Sequence, residues 1–318
     1  NYGTVAAILN PGKEFKVVIE AHSDEISWFV HFITKEGFIY LRKNGGSDPL
    51  IAPSKRVNIF TDKGIIKGIF GWPAIHMRNL EKDTMPALSN IFIDIGCKSK
   101  EEAEELGVQV GDVVTFEDEL IELNNKYFVG RALDNRIGGF MIAEVLKKLK
   151  YNKIKLPYTL YVVNSVQEEI GLRGAEMIAR NIKPDVAIIT DVCHDTQSPM
   201  VNKISNGDLS MEKGPVLTIG PAVQRNLFKL IEDIAKENNI LTQRQAVSRA
   251  TGTDTDAFAY AGAGVVSALI SLPLRYMHTT VEMVSKRDIQ AVIDLIYNTL
   301  IHIEKNHDFK YIQSNKEK

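Results

Sequence analysis

The chain has 318 residues, 44% of them hydrophobic and 25% charged, with a net charge of −2. Those values suit one large or two ordinary globular domains and give no footing to nucleic acid or an anionic membrane surface as a partner. No apolar run approaches the length of a bilayer span, no signal-peptide pattern is present, and two cysteines, Cys97 and Cys193, are too few for a disulfide framework. A reducing cytoplasm is therefore the default compartment, with both cysteines expected to be inert and buried. The chain begins at Asn1 rather than Met, which leaves room for a native N-terminus upstream.

Taken in order, residues 15–21 read as a strand, with His22 at its end. Residues 28–122 change texture: short β-rich segments alternate with Gly and Pro, and one short helix is expected near 100–106. That block reads as a small β-barrel or sandwich. Beyond it, strands and helices alternate. The apolar spacing predicts helices over 135–150, 172–180, 224–238 and 286–304, and strands over 157–166, 185–190, 215–219 and 264–272. The tail after His307 is polar and expected to fray. Alternation of this kind implies an α/β domain. Because the strand ending at His22 belongs with it, the chain divides into 1–27 together with 123–318, and an inserted β-rich unit over 28–122.

Five potential metal ligands and one further carboxylate run along this framework: His22, Asp134, Glu168, Glu169, Asp191 and His278, with Asp24 close behind the first. Most sit just after an apolar run, and in open α/β sheets ligands bind beyond the carboxyl ends of the strands. A two-metal hydrolase needs two histidines, a bridging carboxylate, one carboxylate for each metal and one free carboxylate as a base. Each residue has a plainer use as well. Asp134 suits a helix N-cap, and Glu168 with Glu169 suits the acidic start of a helix. His22-Ser23-Asp24 places a carboxylate where a metal-bound imidazole finds its second hydrogen bond. Two carboxylates ending a buried strand at Glu168-Glu169 are costly unless paired or metal-bound. His31, His76, His194, His302 and His307 have better structural uses, and His194, so near Asp191, is the closest decoy. The polar run Gly252-Thr253-Asp254-Thr255-Asp256-Ala257 reads either as a capping loop or as a wall of a substrate pocket, and Arg275 is a candidate for the same pocket.

Five stretches carry a resemblance: Ala21-His22-Ser23-Asp24-Glu25-Ile26, Ala132-Leu133-Asp134-Asn135-Arg136, Val166-Gln167-Glu168-Glu169-Ile170-Gly171-Leu172-Arg173-Gly174-Ala175, Asp191-Val192, and Pro273-Leu274-Arg275-Tyr276-Met277-His278. In this order they resemble the tetrahedral (TET) and glutamyl aminopeptidases, family forty-two of the metallopeptidases, over nearly the whole chain. The resemblance implies a mixed sheet flanked by helices, of the zinc-exopeptidase kind, with the inserted β-rich unit serving dimerisation. It implies two divalent metal ions per subunit, Zn or Co, with Asp134 bridging, His22 and Asp191 completing one site, and Glu169 and His278 the other. Glu168 is implied as the general base and Asp24 as the residue that orients His22. The substrates implied are peptides with a free N-terminus, and the assembly a homo-oligomer of dimers building a dodecamer. The chain departs from the pattern at Ser23 and Ser27, where family members often carry Met and Gly. Rival chemistries are a related di-metal deacylase or carboxypeptidase and, further off, a glycoside hydrolase; adjacent Glu168 and Glu169 suit the last poorly, since its two carboxylates must flank the scissile bond.

Overall fold

The computed structural model describes residues 2–78, 84–304 and 307–311. The chain opens with β1 (Val5–Leu9) and β2 (Lys16–His22). Six strands follow: β3 (Ser27–Ile33), β4 (Ile39–Asn44), β5 (Arg56–Thr61), β6 (Gly64–Gly71), β7 (Phe92–Asp94) and β8 (Val113–Phe116), with α1 (Lys100–Leu106) before the last. They close into a barrel in the order β3-β4-β7-β6-β5-β8, around a core of its own that includes Trp28, Ile39, Val57, Ile59, Phe70 and Ile93. Closure removes exposed edges, so the β-rich block is a barrel and not a sandwich.

The chain then returns to the first sheet. It runs through β9 (Ile121–Leu123), β10 (Tyr127–Gly130), α2 (Leu133–Tyr151), β11 (Thr159–Ser165), α3 (Arg173–Ile182) and β12 (Val186–His194). The rest comprises α4 (Lys203–Asn206), β13 (Val216–Ile219), α5 (Arg225–Glu237), β14 (Gln243–Ala246), α6 (Asp254–Ala259), β15 (Val266–Arg275), β16 (Glu282–Ser285) and α7 (Lys286–His302). Ten strands among the described residues form this mixed sheet. Its main order is β1-β11-β2-β12-β15-β16-β10-β9, with β13 and β14 branching from β15.

The expected α/β class with a mixed sheet and a small barrel is what the chain adopts. β2 lies between β11 and β12 and runs parallel to both, which is why its Val17, Val18, Ile19 and Ala21 are fully buried. Alternation along β2 then sorts its neighbours. Ala21 faces α2, where a Cβ on Gly138 would lie 2.9 Å from the Ala21 Cβ, so only glycine lets the helix come this close. Glu20 faces the other way, towards Asp254 at the start of α6. On α2 the buried Ile137, Met141, Ile142, Val145 and Leu149 form one stripe at helical spacing.

Several elements differ from the expectation. The strand expected over 185–190 continues to His194, because β12 stays paired with β15 as far as Leu274. Asp191 therefore lies inside a strand and not just beyond one. β1, β14 and β16 had no strong signal; each is short, and β1 and β14 are exposed along half their length. The tail does not fray at once: Phe309 is buried, and its carbonyl accepts from the Asn226 side chain. Residues 312–318 of that tail lie outside the described residues. Cys193 is buried, whereas Cys97 is only half-buried.

Candidate metal centre

Two β-strand ends, the interior of a third strand and two turns deliver the candidate ligands to one place. His22 is the last residue of β2, and Glu168 and Glu169 follow β11. These strands are in parallel register, with Ser165 beside His22, so the loop after β11 lands next to the imidazole. Asp191 comes from β12 on the other side of β2. Asp134 comes from the first turn of α2, where Asp134 and Asn135 depart from helical dihedrals. Asn135 fixes that turn by donating to the Thr190 carbonyl at 2.9 Å, one residue before Asp191. His278 lies in the turn between β15 and β16.

Asp134 is the centre of the arrangement. Its Oδ1 lies 3.2 Å from His22 Nε2, and its Oδ2 lies 3.3 Å from His278 Nε2. Asp191 Oδ1 is 3.7 Å from His22 Nε2, and Glu169 Oε2 is 3.5 Å from His278 Nε2. Two groups of donor atoms result, His22 with Asp134 and Asp191, and Asp134 with Glu169 and His278, each within 4.8 Å of one another. Glu168 stands beside the first group, with Oε2 3.9 Å from His22 Nε2, and lines the cleft. Asp24 sits behind: its Oδ1 is 3.4 Å from His22 Nδ1, while its two oxygens accept the backbone N–H groups of Glu168 and Glu169 at 3.0 and 3.2 Å. One carboxylate thus ties the imidazole to the loop that carries both glutamates.

The electrostatics describe a cluster with too much negative charge. Burial, reinforced by the Asp191 charge, pushes the Glu168 carboxyl up to about 9, and burial with the Asp134 charge pushes Glu169 up to about 7. Burial would also raise Asp134, but hydrogen bonds from both histidines outweigh it and hold this carboxyl at about 2. Burial works against protonation of His22, yet Asp134, Asp191 and Asp24 raise it well above the ordinary imidazole range; His278 is raised chiefly by Asp134. Glu169 Oε1 is buried without a hydrogen-bond partner. Hard oxygen donors, two imidazoles, an orphaned carboxylate oxygen and mutual repulsion are what divalent cations would satisfy, so the residues fit a pair of such ions.

All seven candidates therefore come together, and the five set-aside histidines do not join them. His302 bonds the Asn298 carbonyl of its own helix and His307 stacks on Phe309. His194 is exposed and lines the cleft away from the two donor groups. Arg275 is not in the cleft wall: its Nε pairs with the buried Asp195 at 2.9 Å. In the polar loop, Thr251, Gly252, Thr253 and Asp256 line the cleft, whereas Asp254 turns inward to Ser165.

Sequence reasoning missed two supports. Glu282, 2% exposed, accepts the backbone N–H of His278 at 2.8 Å and that of Asp134 at 3.1 Å, gripping one residue from each side of the second group. Gly46, in the loop after β4, lies so close to His278 that a Cβ there would sit 2.4 Å from the imidazole Nδ1. Nothing in the spacing announces Glu282; the Gly45-Gly46 pair was visible, but only as punctuation in the β-rich block.

Comparison with known proteins gives a consistent answer. The family model described as M42 glutamyl aminopeptidase matches residues 3–295. A lysyl aminopeptidase of Pyrococcus furiosus is 34% identical over 286 residues, covering 89% of this chain and 81% of the relative. Among solved structures, the TET aminopeptidase of a Thaumarchaeota archaeon from marine sediment superposes with a TM-score of 0.89 at 31% identity, covering 95% of this chain and 85% of that one. The TET1 peptidase of Pyrococcus horikoshii, described as assembling into a tetrahedron or a large octahedral shell, gives 0.83 at 31% identity, with 95% and 88% covered.

Proposed function

The chain belongs to the M42 glutamyl aminopeptidase family and is a peptide-bond hydrolase of the aminopeptidase class, a metal-dependent family; from that premise we propose that it works through two divalent cations shared by Asp134, with Glu168 as general base. The observation that carries this reading is the placement of the two Asp134 oxygens, one towards His22 and the other towards His278. His22 and Asp191 would hold one ion, Glu169 and His278 the other, and Zn or Co suits a donor set of imidazole and carboxylate. Ions bound there would supply Lewis acidity and bring the pKa of water towards neutrality.

The remaining work falls to the chain itself. Glu168 Oε2 borders the cleft at the edge of the donor cluster, in reach of a water attacking the scissile carbonyl. With cations neutralising the neighbouring carboxylates, Glu168 would stand as a carboxylate, accept a proton from that water and return it to the leaving amine. Asp24 keeps Glu168 and Glu169 in register with His22 through the backbone N–H groups. Beside ions held by these residues, a free α-amino group would find a partner that an acylated N-terminus lacks, which would select the first residue for removal. The test is hydrolysis by the Zn- or Co-loaded protein of free-amine and N-acetylated twin substrates. Cleavage of the free amines alone is expected; equal cleavage of the acetylated twins would move the reading to a deacylase or an endopeptidase.

We also propose that the barrel, 28–122, is an inserted domain through which copies of the chain associate, as dimers that build a dodecamer. Exposed Phe32, Phe60, Ile65 and Ile69 on its strands support this, since apolar surface of that kind marks interfaces. No helix of the described residues is long and apolar enough to cross a membrane, and two free cysteines fit the reducing cytoplasm. Light scattering on the purified protein tests the assembly: a monomer would refute it.

A further inference from the structure

The cleft does not end at the donor cluster. It continues along the sheet onto the branch formed by β13 and β14, to a total of about 650 Å³. Register explains the path. Asp191 on β12 is opposite Ser271 on β15, the pairing of β15 with β13 sets Leu217 against Ile270, and Thr218 on β13 is opposite Gln245 on β14. Thr218 and Leu269 continue that row. The extension is walled by Val192, Thr218, Gln245, Val247, Leu269 and Ser271, and none of the six carries a charge.

Most charges nearby are engaged elsewhere, and Arg249, beside Ala250 of the rim, is exposed and does not line the cleft. Asp256 borders the cleft but accepts the backbone N–H groups of Thr251 and Gly252, closing its own loop. Arg244, the one charged residue of β14, points to the other face and pairs with Glu232 on α5. Arg275 is held by Asp195, and Asp254 by Ser165. His194 is solvent-exposed, where an imidazole offers a charged partner little. A charged side chain entering this extension would lose its water and meet no opposite charge among the six wall residues, which is heavily penalised. An uncharged one would meet the apolar faces of Val192, Val247 and Leu269. It would also lie near the Thr218 hydroxyl, which is buried without a hydrogen-bond partner.

We infer that this extension receives the side chain of the substrate's first residue and selects uncharged residues, aliphatic or thioether, against Asp, Glu, Lys and Arg. The inference rests on the aminopeptidase reading above and adds the substrate class to it. Thr218, Gln245 and Val247 are the specificity-determining positions.

The test uses the metal-loaded full chain and aminoacyl coumarylamides of Leu, Met, Glu and Lys, each with its N-acetylated twin. Expected is a kcat/KM for free Leu or Met at least about 100-fold above that for free Glu or Lys. Free Glu or Lys equalling or exceeding Leu overturns the pocket assignment and leaves the aminopeptidase reading intact. Cleavage of no free amine, or equal cleavage of the acetylated twins, removes the reading and the inference with it. Gln245→Lys and Gln245→Glu give the second arm. The side chain is only half-buried, and thermal melting checks folding. Gln245→Lys should raise the Glu-to-Leu ratio by about tenfold and Gln245→Glu the Lys-to-Leu ratio likewise, each tenfold being a modest share of a desolvated ion pair. Val247→Lys repeats the first change two residues further along the same wall. Ratios that stay put in all folded variants overturn the assignment.

Discussion

The two halves of the candidate metal centre are built from the same chemistry and held in opposite ways. The half at His22 is deep: its side chain is 1% exposed, and its Nδ1 side is closed by Asp24. Its donors all come from, or are braced against, three adjacent strands, β11, β2 and β12, whose register fixes them. The half at His278 is shallow. That side chain is 33% exposed and sits on a turn at a positive φ of 62°, unusual for a residue with a side chain. Glu282 holds its backbone, and Gly46 of the loop after β4 presses on its ring. One half is therefore a property of the sheet, while the other depends on a turn and on contact with the segment leading through the barrel. Burial and bracing thus decrease from His22 to His278, with Asp134 as the shared joint.

Breaking the joint should have the largest effect. Asp134→Asn is expected to reduce bound metal from two ions per chain to nearly none and to lower activity by at least about 10³-fold, more than loss of any one supporting contact. Metal analysis alongside kinetics checks this, and retention of one full equivalent would mean the halves are not joined through Asp134. Glu168→Gln comes next. It should leave both ions in place and lower kcat by about 10²- to 10⁴-fold, the usual scale of general-base catalysis. A kcat within tenfold of the parent would remove Glu168 from that role. Gly46→Ala probes the shallow half alone, because its Cβ would displace the His278 ring. Loss of one ion, with the other retained and turnover down by roughly 100-fold, is the expected result of so small a misplacement. Loss of both ions would show that the two halves are not independently held.

The deep half was legible in the sequence and the supports of the shallow half were not. His22 and Glu168-Glu169 follow runs that read as strands, and they meet because those strands pair in parallel. Asp191 was found by the same logic although β12 runs on past it, because a neighbouring strand continues beside it. Asp134 carried an innocent explanation as an N-cap, and its true setting depends on backbone that leaves the helical region at Asp134 and Asn135. Left-handed residues that are not glycine, Ala132, Gln167 and His278, shape the turns around three of the candidate ligands, and no composition rule announces them. Glu282 looked like any acid after a turn. Its importance arises only when β16 pairs with β10 and β15 and buries it beneath two ligands. The barrel was legible as a unit, but that its Gly45-Gly46 loop reaches Glu169 and His278 is a tertiary fact.

The smallest effect is also the most direct reading of the contrast. Because burial and bracing decrease from His22 to His278, the two ions should leave at different rates under a chelator. An ion at His278 would be reached through the cleft past a side chain that is one-third exposed, on an imidazole steadied through backbone and packing contacts. An ion at His22 would be held by an imidazole whose Nδ1 lies 3.2 Å from the Asp24 carbonyl and 3.4 Å from its carboxylate, outer contacts that typically add tenfold or more in affinity. Metal content followed over time should therefore fall in two phases whose rates differ by roughly tenfold. Gly46→Ala, lacking the shallow ion from the start, should show only the slow phase, and Asp24→Asn should speed the slow phase towards the fast one. A single phase in the parent protein, unchanged in both variants, would mean that the shared Asp134 makes the two ions leave together and that the difference in burial has no bearing on how they are held.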